Sequence, residues 1–265
     1  IEAIPPERFV IFDSESGPVP EGIANSCDAA FICGKADSTP VLAQIAEEIL
    51  KQDGMAISLQ NGMGHAQALA HRLGRERTLG GITTHGAWRG DTGTHWVGRG
   101  GITIGSLDRS VASVNAQRLV EILRQAGLSP EWSDDIDRSI WTKLLVNVAI
   151  NPVCSIAGVR NGALLEVPEL WDQAISAMSE AASVARASGV DLSELDLEEI
   201  LREVATNTAD NRCSMLQDIM AGRKTEIDQL CGAVVEIGES AGVPTPRNEM
   251  LHALVNGIEI SSDFD

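Results

Sequence analysis

Basic residues are scarce in this 265-residue chain: 20 Lys and Arg stand against 38 Asp and Glu, giving a formal net charge of −18. That charge would repel a phosphate backbone or an anionic membrane surface, so neither nucleic acid nor lipid is an expected partner. Aromatic residues make up only 3% and tyrosine is absent, so the core must consist mainly of aliphatic side chains. An anionic small molecule would bind only where a few cations form a local positive pocket.

Metal-binding, disulfide and membrane patterns are missing as well. The five cysteines include no Cys-x-x-Cys pair, which is typical of reduced thiols in a cytoplasm. The five histidines form no His-x-x-x-His or His-Glu-x-x-His pattern, so no zinc site is expected. No basic-then-apolar leader and no apolar run of roughly 20 residues is evident. We therefore expect a cytoplasmic protein with no membrane span and no metal.

The first half of the sequence alternates strand-like and helix-like segments. Residues 27–33 are largely apolar, which predicts a strand buried on both faces of a parallel sheet. Helical spacing follows over 41–50, then a second strand over 55–59 and a second helix over 66–73. This order, with short connections, indicates a right-handed parallel α/β arrangement.

Glycine-rich segments come next, and their pattern is typical of antiparallel strands. The run 98–101 is a weak candidate for a phosphate loop because no helix follows it, and a hairpin turn is the favoured interpretation. A helix and a short strand then close the domain. The predicted elements are strands over 80–86, 92–97 and 101–104, turns at 90–91 and 99–100, a helix over 114–125 and a strand at 130–132.

The glycine fingerprint of dinucleotide-binding domains is absent. Such a domain opens with a strand, Gly-x-Gly-x-x-Gly and a helix, and this pattern occurs nowhere in the sequence. Either the protein binds no dinucleotide, or the chain lacks a first βαβ unit of roughly 30 residues. We favour the second explanation and predict an α/β, Rossmann-type domain over 1–134 whose first βαβ unit is missing.

Two polar groups follow predicted strands at the edge where parallel sheets bind ligands. Lys35 comes just after the first strand and Asn61 just after the second. Neighbouring parallel strands would bring both to one edge. From the pattern alone, however, a solvated loop lysine and a simple Asn-Gly turn are the favoured interpretation.

The second half, 135–265, is predicted to be helical and to form the substrate domain. Residues 140–152 are apolar all round except for Lys143, Asn147 and Asn151, whose i, i+4, i+8 spacing forms one polar stripe. Burying a lysine costs several kcal/mol unless it is paired or lines a wet cavity. The stripe therefore favours a pocket wall over a structural lysine with a carboxylate partner or a solvated helix face.

A second polar cluster lies over 214–228. Ser214 and Glu226 could face inwards beside apolar positions of the same segment. On spacing alone, a solvated charge cluster is the more probable interpretation.

At these residues the sequence resembles the ketopantoate reductase (2-dehydropantoate 2-reductase) family, over essentially the whole chain and in order. No single motif is specific, but the ordered set is. The matching segments are Gln60-Asn-Gly-Met-Gly64, Gly81-Ile-Thr-Thr-His-Gly86, Trp141-Thr-Lys-Leu-Leu-Val-Asn147 with Asn151-Pro152, Asn161-Gly162, Ser214-Met-Leu-Gln-Asp218, Lys224-Thr-Glu-Ile-Asp228 and Ala241-Gly-Val-Pro-Thr-Pro246.

The resemblance implies a Rossmann-type domain and an all-helical C-terminal domain of the 6-phosphogluconate-dehydrogenase-like kind. It implies reduction of 2-dehydropantoate to (R)-pantoate with NADPH, in the pathway to pantothenate and coenzyme A. The preference for NADP over NAD rests on the family alone. The implied site residues are Lys143 as catalytic general acid with Glu226, Asn147, Asn151 and Ser214 for the substrate, and Lys35 and Asn61 for the cofactor.

Three alternatives remain at this point. A related reductase could act on another 2-keto acid or a 3-hydroxy acid, or a non-catalytic binding protein could have kept the fold. A helical oligomerisation module is disfavoured because the buried polar stripe of Lys143, Asn147 and Asn151 would be an expensive way to make contacts. The acidic surface and apolar C-terminal helices permit a homodimer without requiring one.

Overall fold

A computed structural model of the chain describes residues 10–13, 17–90 and 93–262. The first part is an α/β layer and the second part is helical, so the predicted fold class is confirmed. The α/β part contains strands β1 (Cys27–Ile32), β2 (Leu50–Ser58), β3 (Thr78–Thr83), β4 (Gly86–Gly90), β5 (Gly93–Gly98), β6 (Gly101–Ser106) and β7 (Ser129–Trp132), with helices α1 (Thr39–Ile49), α2 (His65–Leu73) and α3 (Val114–Gln125).

Five of these strands form one sheet in the order β1-β2-β3-β6-β7. Strands β1, β2 and β3 are parallel, β6 is antiparallel to β3, and β7 is parallel to β6. The carboxyl ends of β1, β2 and β3 therefore lie at the same edge of the sheet. The loops that carry Lys35, Asn61 and Thr84 all leave from this edge.

Apolar side chains cover both faces of the central strands, but the outer strand β1 differs from the expectation. One face of the sheet packs on α1 and α2 and the other on α3. In β1, Ala30 and Ile32 are buried, whereas Phe31 is 43% exposed. The prediction that this strand is buried on both faces was wrong, because β1 is the edge strand of the described sheet and only alternate residues face α1 and α2.

Strands β4 and β5 form a separate antiparallel pair that extends from β3 and β6. The glycine-rich run 98–101 is not a hairpin turn between paired strands, since β5 pairs with β4 and β6 pairs with β3. It is the link through which the chain returns to the main sheet. Asp91 and Thr92, at the predicted turn, lie outside the described residues.

The helical part is built around α4, whose side chains are buried on most sides. Its long apolar core includes Leu145, Val148 and Met178, all fully buried. The elements are α4 (Ile136–Ala157), α5 (Ala163–Glu166), α6 (Pro168–Ala187), α7 (Leu197–Asn207), α8 (Ser214–Met220), a π-helical turn (Asp228–Gly232), α9 (Ala233–Ala241) and α10 (Pro246–Ser262).

Helix α4 contradicts the expectation that the chain has no apolar run of roughly 20 residues. With 22 residues and a mean hydropathy of 1.4 over its most apolar window, it is long and apolar enough to cross a membrane. Of that window, 61% is buried inside the protein. The apolarity of α4 is therefore that of a core helix, and it gives no support for a membrane span.

Candidate active site

The predicted residues Lys143, Asn61 and Glu226 form one chain of polar contacts between the sheet edge and the helices. Lys143 Nζ donates to Asn61 Oδ1 at 2.7 Å and to the carbonyl oxygen of Thr83 at 2.8 Å. On its other side, Asn61 Nδ2 donates to Glu226 Oε2 at 3.2 Å. One amide thus joins the lysine of α4 to the carboxylate that precedes the π-helical turn.

Lys35 reaches the same carboxylate from the neighbouring loop. Its Nζ lies 3.9 Å from Glu226 Oε1 and 2.5 Å from Asp218 Oδ2. The Asp218 side chain is only 8% exposed and also accepts from Arg223, while that of Lys35 is 49% exposed. Lys35 is therefore tethered at the mouth of the site, with half of its surface open to solvent.

Burial makes Lys143 an unusual lysine. Loss of solvation lowers its pKa from 10.5 to about 8, and the negative charge of Glu226 opposes this fall. Its two hydrogen bonds go to an amide oxygen and a backbone carbonyl, so no carboxylate touches the ammonium directly. Burial therefore brings the pKa of Lys143 closer to neutral pH than that of an exposed lysine.

A narrow cavity adjoins this chain of contacts. Its volume is about 20 Å³, which is room for one water molecule. Asn147 lines it together with Lys143 and Asn61, as the helical spacing predicted. The space enclosed beside Lys143 in this structure is therefore that of a water molecule.

Asn151 and Ser214 are not among the residues that line this cavity. Asn151 is buried two turns further along α4, where Cys213 Sγ lies 3.5 Å from its carbonyl oxygen. Ser214 follows Cys213 as the exposed first residue of α8. The structure thus places Asn151 against Cys213, the residue before Ser214, two turns along α4 from Lys143.

The loop that carries Asn61 depends on glycine. Gly62 has a φ of 89°, and a Cβ there would lie 2.5 Å from the carbonyl oxygen of Gln229 in the π-helical turn. The next residue, Met63, donates its backbone N–H to that same oxygen at 3.0 Å. The π-helical turn is closed by a bond from Gly232 N–H to Ile227 O at 3.0 Å. Backbone contacts therefore hold the Asn61 loop against the segment that presents Glu226.

Two residues next to the site were missed by the sequence interpretation. His65 is buried and bonds to the Asn61 carbonyl, and Asp218 anchors Lys35. The available signals were weak: His65 lies four residues after Asn61 at the start of a helix, and Asp218 lies four residues after Ser214. Within the described residues, no group of three or more His, Cys, Asp or Glu could hold a metal ion.

The Rossmann-like sheet, the helical part that follows it and the buried lysine between them are consistent with the oxidoreductase class. Comparison with known sequences gives the particular family. The family profile described as Ketopantoate reductase PanE/ApbA matches residues 8–109, and that described as Ketopantoate reductase PanE/ApbA C terminal matches 135–259. The chain belongs to the ketopantoate reductase family.

Curated and solved relatives agree with this assignment. The 2-dehydropantoate 2-reductase of Archaeoglobus fulgidus is 38% identical over 233 residues, which cover 88% of this chain and 76% of that protein. A ketopantoate reductase of this family from Ralstonia eutropha JMP134 has a similar structure, with a TM-score of 0.81, 29% identity and coverage of 90% of this chain and 78% of that one.

A second solved relative carries a different substrate name. The ternary structure of D-mandelate dehydrogenase with NADH and anilino(oxo)acetate also has a TM-score of 0.81, at 27% identity, and covers 89% of this chain and 78% of that one. Relatives with different substrates thus share the fold, and together they support a nicotinamide dinucleotide as the cofactor of this chain.

Proposed function

We propose that this protein reduces 2-dehydropantoate to (R)-pantoate with NADPH, as a cytoplasmic step in the formation of pantothenate and coenzyme A. The observation that carries this proposal is the chain of contacts from Lys143 through Asn61 to Glu226. It gives an acid with a pKa near working pH at the junction of the sheet edge and the helical domain. The curated relatives named 2-dehydropantoate 2-reductase support the choice of substrate.

The residues of the sheet edge fit a dinucleotide in position and chemistry. Lys35 supplies a half-exposed ammonium and Asn61 an amide just past the carboxyl ends of parallel strands, the edge at which doubly wound sheets bind nucleotides. When bound, the reduced nicotinamide supplies the hydride. In this proposal Lys35 and Asn61 contact the cofactor from this edge.

Lys143 performs the acid chemistry. As negative charge develops on the C2 oxygen of the keto acid, the Lys143 ammonium stabilises it and then donates a proton to that oxygen. Asn61 orients the ammonium, and the Glu226 carboxylate keeps it protonated by raising its pKa. In this proposal the substrate enters between the sheet edge and the helices after they have moved apart. Its carboxylate and hydroxyl are then held by Asn147, Asn151 and Ser214.

The pH dependence of reduction follows from the state of Lys143. Only the ammonium can donate a proton, and its pKa is lowered to about 8 by burial. We expect kcat/KM to be flat just below about pH 8 and to fall roughly tenfold per pH unit above it. Steady-state kinetics between pH 6 and 10 measure this profile, with circular dichroism to exclude unfolding. A profile that stays flat to pH 10 would contradict the role of Lys143.

Glu226→Gln is expected to move the alkaline limb of the profile, the fall of kcat/KM above about pH 8, to lower pH. The variant keeps an oxygen that can accept from Asn61 Nδ2, but it removes the negative charge that raises the pKa of Lys143. The fall in kcat/KM should therefore begin at a lower pH than in the wild type. An unchanged limb would show that Glu226 does not act on the lysine through its charge.

The substrate assignment is tested by NADPH oxidation with the protein expressed from its native start codon. Ketopantoate is compared with a panel of 2-keto acids that includes an aryl 2-keto acid, and NADPH is compared with NADH. Strong preference for ketopantoate with NADPH supports the proposal. Preference for the aryl acid with NADH would favour a second candidate function, that of a mandelate-type dehydrogenase. The similar structure of D-mandelate dehydrogenase with NADH is the observation behind this candidate.

A further inference from the structure

His65 stands at the centre of a buried hydrogen-bond relay behind Asn61. Its side chain is 7% exposed, and both ring nitrogens have partners. The Nε2 atom lies 3.0 Å from the carbonyl oxygen of Asn61, and Nδ1 lies 3.1 Å from Thr39 Oγ1. The imidazole therefore joins the loop after β2 to the first residue of α1.

The relay fixes the tautomer of His65. A carbonyl oxygen can only accept, so Nε2 must carry a proton and donate it to Asn61. Gln60 Nε2 donates to Thr39 Oγ1 at 2.8 Å and to the carbonyl of Gly34 at 2.9 Å. The Thr39 hydroxyl thus accepts from Gln60, and its one proton is available to Nδ1. The partners of both nitrogens agree with a neutral imidazole protonated on Nε2.

The surroundings keep this imidazole neutral. Burial lowers the pKa of His65, while the Asn61 carbonyl and the charge of Glu226 act in the opposite direction. A second proton, on Nδ1, would force the Thr39 hydroxyl to accept from both His65 and Gln60 and would leave its own proton without this partner. The contacts of both ring nitrogens and the direction of the pKa shift therefore agree with one hydrogen-bond pattern, that of the neutral imidazole.

We propose that neutral His65 is the positioning residue that fixes the backbone of Asn61, so that the Asn61 side chain meets both Lys143 and Glu226. The residue does not touch the reacting atoms. It acts through a loop whose next residue, Gly62, already has a left-handed backbone. The positioning claim stands on this geometry, and its catalytic consequence rests on the proposed function of Lys143 as the acid.

The direction of the effect follows from the Lys143–Asn61 bond. An amide oxygen that accepts from an ammonium stabilises the charged form of the lysine. If Asn61 shifts, the ammonium loses that partner and the pKa of Lys143 falls. The charged group that acts on the pKa of this lysine is Glu226, which raises it. Asp137 of α4 lines the same cavity, and Lys35 lies 3.9 Å from Glu226 on the far side.

The test measures the lysine directly, without cofactor or turnover. The protein is labelled with [ε-¹³C]lysine, the Lys143 signal is assigned by its loss in a Lys143→Ala variant, and its pKa is read from an NMR titration. We expect His65→Leu to lower this pKa by about one unit, the effect of weakening one hydrogen bond to a charged group. We expect His65→Gln, which retains an N–H donor for the Asn61 carbonyl, to stay close to the wild type.

Control variants separate positioning from general destabilisation. His71 lies on the same helix but is exposed, so His71→Leu should leave the Lys143 pKa unchanged. Thr39→Val removes the hydroxyl that donates to Nδ1 and should shift the pKa in the same direction as His65→Leu. If His65→Leu does not fold, the pKa of Lys143 is measured in Thr39→Val instead. An unchanged Lys143 pKa in whichever of these two variants folds would overturn the proposal.

Kinetics keep this proposal separate from the proposed function. If Lys143 is the acid, the alkaline limb of kcat/KM moves with its NMR pKa in each variant. A lysine pKa that shifts while the limb stays in place supports the role of His65 and contradicts the role of Lys143 as the acid.

Discussion

Lys143→Ala is expected to lower kcat by about 10² to 10⁴, the usual contribution of a positioned acid–base group. The variant removes both the proton donor and the charge that stabilises the developing oxyanion. It also leaves the side-chain oxygen of Asn61 and the backbone oxygen of Thr83 without their ammonium partner. Steady-state kinetics at saturating cofactor and keto acid measure the loss, and near-normal turnover would contradict the assignment.

Two control variants divide this loss into its parts. Lys143→Arg keeps a positive charge but does not release a proton near neutral pH, so it should recover part of the electrostatic stabilisation and none of the acid chemistry. Lys51→Ala removes a surface lysine that pairs with Asp28 outside the site. That variant should keep wild-type kcat, because the pair lies outside the site and the loss of an exposed ion pair costs the fold little stability.

Gly62→Ala is expected to damage both stability and activity. An alanine at a φ of 89° is strained, and its Cβ would lie 2.5 Å from the carbonyl oxygen of Gln229. We expect the free energy of unfolding to fall by about 1–3 kcal/mol. Because the collision pushes the Asn61 loop away from the segment that presents Glu226, kcat/KM should fall more than tenfold. Denaturant unfolding and steady-state kinetics measure the two effects.

Gly64→Ala is the matched control. Gly64 has a φ of 88°, nearly the same as that of Gly62, but a Cβ there meets nothing within 4 Å. It carries the conformational strain without the collision, so its activity should stay much closer to the wild type. Equal losses of activity in the two variants would show that backbone strain alone, and not contact with the π-helical turn, governs the site.

The fold could be predicted from the sequence because its signals are local. Helical spacing located α1, α2 and α3 close to their observed bounds. Strand β2 begins at Leu50, five residues before its predicted start at 55. The exposure of Phe31 in β1 could not be predicted in this way, because it depends on which strands are neighbours in the sheet. The apolar run of α4 was overlooked as a long apolar helix because Lys143, Asn147 and Asn151 interrupt it at regular intervals, although its mean hydropathy of 1.4 is high.

The sequence predicted which helix face carries the polar stripe, but not its contacts. Lys143 and Asn147 of that stripe line the cavity, whereas Asn151 does not. The bond from Lys143 to Asn61 spans 82 residues of sequence, and no local pattern encodes it. His65 carried only a weak signal for a similar reason: its contacts include a threonine 26 residues earlier in the chain. Side-chain roles that arise from tertiary contacts need the structure.

The π-helical turn gives the segment from Glu226 to Val234 a particular dependence on chain length. An α-helix turns by about 100° per residue, and a π-turn takes up one additional residue. Removing one residue from Asp228–Gly232 would let a regular α-helical turn take its place, with Glu226 and the fully buried Val234 kept in nearly the same relative direction. The deletion would instead shift Gln229, whose carbonyl oxygen accepts the backbone N–H of Met63. Over evolutionary time the extra residue should therefore be kept or lost together with the loop that carries Asn61.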